Sequence, residues 1–191
     1  AIAVGSYDLS IIKILRTLIG VDSGAEKIVV WDIRLPRITA AIITGCGLGL
    51  SGIATQSLLR NPLASPFTLG ISQGAAFGAA FSIVVLGAAG MQHSALRTAD
   101  SNALHIINVY AVTFFAFLGA ITATLVILLL ARLKKMSPES IILAGVALSS
   151  LFTSGTILIQ YFATDVEIAT VVFWTFGDVA RSSWQEIGLL G

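Results

Sequence analysis

Residues 34–78 read Arg34-Leu35-Pro36-Arg37, then ITAAIITGCGLGLSGIATQSLL over residues 38–59, then the turn Arg60-Asn61-Pro62-Leu63-Ala64-Ser65-Pro66, then a second apolar run punctuated by Gly70, Gly74 and Gly78. The uncharged run of about 22 residues is long enough to cross the ~30 Å hydrocarbon core of a bilayer as a helix. A second such run follows the turn directly. Two spans joined by a tight polar elbow make a membrane hairpin, and the rest of the chain reads as further spans packed around it.

Bulk composition agrees with that reading. Of 191 residues, 56% are hydrophobic and 11% charged, with a mean hydropathy of +0.93, whereas soluble domains average roughly 25% charged. The formal net charge of +1 sets up no field for a polyanion, so nucleic acid is not an expected partner. A single cysteine, Cys46, lies inside an apolar run, which excludes an internal disulfide and reads as small packing filler. Residues 1–5 resemble the tail of an earlier span and residues 187–191 the start of a later one, so the sequence is expected to be a fragment of a longer membrane protein.

Taken in order, residues 6–32 are mildly amphipathic, with Leu9, Ile12, Leu15 and Ile19 at helical spacing beside Lys13 and Arg16. They predict an interfacial helix and a loop through Asp22-Ser23-Gly24. Four spans follow, over residues 37–59, 66–86, 103–131 and 141–163, with a polar loop holding His93 and Arg97 between the second and third. Ser137 is placed to cap the fourth span, with Pro138 in its first turn. Residues 164–185 hold Trp174 and Trp184 and predict a short helix at the headgroups. The fold class is therefore all-α, a polytopic transmembrane helix bundle forming part of a single permease-like domain over 1–191. The cluster Arg132, Lys134, Lys135 is the stronger topogenic signal and puts the 60–66 elbow and the 132–137 loop in the cytoplasm.

Lipid tails are as apolar as leucine, so spans associate through close backbone approach at small residues. Gly45 and Gly49 form one strip, and Gly70, Gly74 and Gly78 another. Gly145, Ser149, Thr153 and Thr156 share roughly one face of the fourth span, where hydroxyls can bond a neighbouring helix or line a wet path. Packing alone explains such strips at least as readily as transport does. No span carries an ionisable residue at mid-depth, which argues against an ion-coupled relay and for a path driven from outside the membrane part.

Several motifs fail on context. Gly47-Leu48-Gly49-Leu50-Ser51-Gly52 matches a dinucleotide fingerprint but sits inside a span, with no acidic residue at the required distance. Gly49-Leu50-Ser51-Gly52 resembles the motif of intramembrane serine proteases, yet Ser51 lies ~20 Å deep, away from His93 and His105. Those histidines and Cys46 make no metal constellation, and no phosphate-binding loop is present. No catalytic residue, metal or cofactor is expected.

Six patches in order resemble the permease subunits of binding-protein-dependent ABC importers for ferric siderophores, haem and cobalamin, the iron-chelate (FecCD-like) family. They are Arg34-Leu35-Pro36-Arg37; residues 45–52 with Gln56; Asn61-Pro62-Leu63-Ala64 with Pro66; Leu69-Gly70-Ile71-Ser72 with Gly74-Ala75; Leu143-Ala144-Gly145-Val146-Ala147-Leu148; and Phe173-Trp174 with Gly177. The resemblance implies about ten helices per subunit, the four spans here corresponding to helices two to five. It implies a second permease subunit, a homodimer or related pair, two cytoplasmic ATPase subunits and an extracytoplasmic solute-binding protein, in the plasma or inner membrane. Arg34 and Arg37 would dock acidic residues of the binding protein, Asn61 and Leu63 would border the cytoplasmic mouth, and Ser149 and Thr153 would line the path. The rival readings are an ion-coupled secondary carrier, the protease and a membrane scaffold. Uptake with and without ATP separates them.

Overall fold

The computed structural model describes residues 10–20, 24–87, 109–134, 136–177, 179, 182–184 and 187–188. His93, Arg97, His105 and Lys135, together with residues 1–9, lie outside them. Among the described residues every regular element is helical: α1 (Ile11–Leu18), α2 (Ala25–Leu59), α3 (Ile71–Val85), α4 (Val109–Lys134), α5 (Pro138–Tyr161) and α6 (Asp165–Phe176). Helices α2, α4 and α5 are long and apolar enough to cross a membrane. The chain divides into two compact units, residues 1–50 with 178–191 and residues 51–177.

In the first unit, helix α2 starts earlier than the charged sequence before Arg37 suggests. It runs for 35 residues, which at 1.5 Å per residue is about 52 Å, well beyond the hydrocarbon thickness. The Arg34-Leu35-Pro36-Arg37 patch thus sits inside a helix rather than at its start. Proline lacks an N–H and its ring collides with the carbonyl four residues back, so a regular turn cannot simply continue through Pro36. The residues just before it, Ile28–Arg34, are π-helical, and the Leu35 N–H donates to the Val30 carbonyl five residues back. That wider turn makes room for the ring. Ile14 of α1 and Val30 of α2 form the unit's buried apolar contact, flanked by Val29 and Leu35. The Trp31 indole donates to the Thr17 carbonyl at 3.2 Å, and the Trp184 indole to the Trp31 carbonyl at 2.8 Å. The Lys13–Glu26 ion pair at 3.3 Å is solvent-facing and contributes little.

The second unit is a bundle centred on α3. Its helix begins at Ile71 rather than at Pro66, because the intervening residues satisfy one another. Ser65 N–H donates to Thr68 Oγ1 at 3.0 Å, Thr68 N–H to Ser65 Oγ at 3.3 Å, and Thr68 Oγ1 to the Ser65 carbonyl at 2.8 Å. Gly70 then turns the chain at φ 79, a left-handed conformation that disfavours any other residue. What remains of α3 is 10 α-helical residues and a 5-residue π-helical end, about 22 Å in all. Its Ala79, Ala80 and Ile83 are buried against Val112 and Ala116 of α4 and Val171 of α6. Ala123 and Ile127 of α4 meet Leu148 of α5 in a second buried cluster.

Both later helices start on caps written in the sequence. Ser137 accepts from the Ser140 N–H at 3.4 Å, with Pro138 in the first turn of α5. Thr164 and Glu167 form a reciprocal capping box on α6. Glu167 is only 3% exposed, and its Oε2 accepts from Thr164 N–H at 2.8 Å and Thr164 Oγ1 at 2.9 Å. Replacing Thr164 by alanine removes the cap and one partner of a buried carboxylate at once. We expect a loss of about 1–2 kcal/mol, read as a lower unfolding temperature of the full-length protein and recovered by Thr164→Ser.

Candidate functional site

The elbow is built by the end of α2. Arg60 takes a left-handed conformation at φ 48, and the Asn61 N–H reaches back to the Gln56 carbonyl at 3.2 Å, the six-residue closure typical of helix C-termini. Gln56 Nε2 donates to the Pro62 carbonyl at 3.1 Å, so the helix holds the chain that leaves it. Asn61 Oδ1 accepts the Leu63 N–H at 2.9 Å, the Asn turn that lets a short side chain replace a backbone bond. Beyond it Ala64 is buried at 1% while Leu63 stands 83% exposed. Asn61 therefore fixes the backbone from which an apolar side chain projects.

Past the elbow in the chain, a cleft of about 370 Å³ lies between the start of α3 and the middle of α5. Ser149, Ser150, Thr153 and Ser154 form one wall, and Phe67, Thr68 and Gln73 the other. Ser149 and Thr153 thus both face it. Ser149 Oγ donates to the Gly145 carbonyl at 2.8 Å and Ser150 Oγ to the Val146 carbonyl at 3.1 Å. No ionisable residue lines the cleft.

The glycines hold its walls together. A Cβ on Gly70 would lie 3.1 Å from Ser149 Oγ and from the Gly145 carbonyl oxygen, and one on Gly145 would run into the Thr68 carbonyl. Gly74 backs onto the Gly119 carbonyl and Ala123, Gly78 onto the Phe115 carbonyl, and Gly119 in turn onto the Gly74 carbonyl. Gly155 lies under the Phe77 ring. Gly119 and Gly155 escaped the sequence reading, although Gly119 stands four residues before Ala123 in the same pattern of small residues. Gly45 and Gly49 behave differently: a Cβ on either meets nothing within 4 Å. Cys46 between them is exposed and fills no gap among the described residues. The α2 face over residues 41–50 is largely open because no described element packs on it.

In the first unit Arg34 and Arg37 part ways. Arg34 is 8% exposed and engaged within the structure, whereas Arg37 is exposed. Three helical positions apart, they are not equivalent guanidinium forks.

A bundle of apolar helices carrying a charge-free, hydroxyl-lined cleft defines a polytopic membrane subunit. The model of the FecCD transport family matches residues 1–191, and the chain belongs to that family. It is similar to an ABC transporter permease protein of Methanocaldococcus jannaschii, at 50% identity over 100% of this chain and 52% of that protein. It is also similar to the Fe(3+)-citrate import system permease protein YfmE of Bacillus subtilis, at 32% identity over 100% of this chain and 51% of that protein. Among solved structures, an inward-facing metal-chelate type ABC transporter superposes with a TM-score of 0.71 at 27% identity, covering 97% of this chain and 51% of that one. The chain spans about half the length of the curated relatives it matches.

Proposed function

We propose that this chain forms the first part of the translocation path of an ATP-driven importer for a metal chelate or similar cargo. The observation that carries the reading is the hydroxyl-lined cleft on α5, set in a chain whose full length matches the family. In apolar helices a row of Ser and Thr on one face supplies hydrogen-bonding sites without a charge to trap the cargo. The chain itself performs no covalent chemistry. Energy would come from two cytoplasmic ATPase subunits, and cargo from a solute-binding protein that meets the exposed Arg37, with Arg34 holding the helix that presents it. A second permease subunit, most simply another copy, would complete the path.

The elbow and the Arg132, Lys134 and Lys135 cluster would face the cytoplasm of a multi-pass plasma or inner-membrane protein, leaving Arg34 and Arg37 outside. There they run against the preference of basic residues for the cytoplasmic side, which favours a functional role. Asn61 and Leu63 would border the inner mouth. Gly70, Gly74, Gly78 and Gly145 would let α3, α4 and α5 approach closely enough to move as one body, while Gly45 and Gly49 await a neighbour from elsewhere in the transporter. Substrates of the iron-chelate, haem and cobalamin classes all fit this reading.

The test is thiol access to the cleft. In the full-length transporter with Cys46 and other cysteines replaced, Ser150→Cys is expected to react with a membrane-impermeant maleimide in one nucleotide state and to be protected in the other. Equal protection in both states would show that the cleft is buried packing.

A further inference from the structure

The hydroxyl hydrogens of α5 go two ways. Ser149 and Ser150 in the cleft wall, and Thr156 further along the helix, each donate to the carbonyl four residues back, at 2.8, 3.1 and 2.9 Å. So do Thr122, Thr124, Thr170 and Thr175 elsewhere. That is the ordinary way a hydroxyl is satisfied inside an apolar helix. Thr153 departs from it: its Oγ1 crosses the cleft and donates to Gln73 Oε1 at 3.4 Å.

The consequence falls on Gln73. An amide has one acceptor oxygen and two N–H donors. With Oε1 occupied by Thr153, the Nε2 group is left without a protein partner among the described residues and lies in the cleft wall. The hydroxyls of Ser149 and Ser150 have spent their hydrogens on backbone and present only lone pairs. The backbone that carries the amide is held in place, because Gln73 is the third residue of α3 and the helix start is locked one turn earlier by the Gly70–Gly145 contact.

We propose that Gln73 is a cargo-contacting residue of this cleft, its amide N–H groups donating to outward oxygen atoms of the passing cargo while Thr153 holds the amide in that orientation. The cargo it suits is an oxygen-rich chelate or oxyanion, whose surface is made of acceptors. With no ionisable group beside it, the amide recognises acceptor oxygen without binding net charge tightly, and so permits release. The inference rests on the reading of the cleft as part of the path.

The experiment uses the full-length transporter reconstituted with its ATPase and binding protein, offered ferric citrate, molybdate and cyanocobalamin separately. Gln73→Met keeps the length of the side chain and deletes the donors; Thr153→Val removes the tie and leaves the amide. Uptake of the accumulated probe should fall roughly tenfold in Gln73→Met with ATPase rate unchanged, and less than threefold in Thr153→Val. Wild-type uptake by Gln73→Met overturns the proposal. So does a parallel fall of ATPase and uptake, or an equal loss in both variants, since either marks a packing tie. If Ser150→Cys still shows nucleotide-dependent labelling when Gln73→Met transports normally, only this inference fails. If the labelling is absent, or none of the three probes is accumulated, the path reading fails with it.

Discussion

Gly119→Ala is expected to destabilise the full-length permease by about 3 kcal/mol or more, at the upper end of what overpacking costs in a filled core. The added methyl has nowhere to go. A Cβ at this position meets the Gly74 carbonyl oxygen and, at 3.3 Å, the Gly78 nitrogen, both backbone atoms of α3. The reciprocal positions are no freer: a Cβ on Gly74 lies 2.6 Å from the Gly119 carbonyl oxygen and 2.9 Å from the Ala123 methyl, and one on Gly78 collides with the Phe115 carbonyl. Side chains can rotate aside; two helix backbones can only separate. Separation would break the contact of Ala79 and Ala80 with Val112 and Ala116, which holds α3 to α4 without any leucine-rich seam. Thermal unfolding should shift down by roughly 10 °C. Thr122→Ala, one turn away on the exposed side, removes only a bond to the Leu118 carbonyl and should stay within about 0.5 kcal/mol of wild type. Equal stability of Gly119→Ala and Thr122→Ala would mean that α3 and α4 do not touch in this way.

Arg37→Glu should reduce binding-protein-stimulated uptake at least tenfold while leaving unstimulated ATPase activity and folding intact. Arg37 is exposed, thirteenth of the 35 residues of α2, so reversing its charge disturbs no buried neighbour. Opposed to a carboxylate on a docked partner, it turns a charge-assisted bond into a repulsion, and such reversals act on both encounter rate and affinity. The loss should shrink as ionic strength rises, since an exposed pair is screened over about 10 Å at 0.1 M salt. Arg34→Glu should behave differently: at 8% exposure a carboxylate there replaces an engaged guanidinium in a buried place, and lower stability accompanies any transport defect. Undiminished stimulation in Arg37→Glu would remove the docking role.

The membrane class of the chain was legible because uncharged runs of ~20 residues have one economical explanation. The cap at Ser137 was equally legible, since a hydroxyl residue followed by proline carries its own mechanism, whereas the Thr164–Glu167 box, with the same kind of signal, escaped the sequence reading. Pro36 was harder. A proline between two arginines reads as a boundary, and only the π turn at Ile28–Arg34 shows how the helix passes through it. The start of α3 was hidden for a similar reason: nothing in an apolar run reveals that Ser65 and Thr68 will bond each other instead of extending the helix.

Glycine strips had the opposite defect. A four-residue repeat fixes a helix face but says nothing of what lies across from it, so Gly45 and Gly49 looked like Gly74 and Gly78. The structure gives a close neighbour only to the latter pair, and it adds Gly119 from a helix whose larger residues masked it. Gln73 was invisible for want of a motif. Its interest comes from one hydroxyl, on Thr153, that bonds across a cleft instead of back along its helix.

The most direct test is of what drives transport. Proteoliposomes holding the full-length permease, its ATPase and its binding protein should accumulate cargo only when ATP is supplied to the ATPase side, with no response to proton or sodium gradients. Accumulation driven by an ion gradient in the absence of ATP would contradict an ATP-driven path.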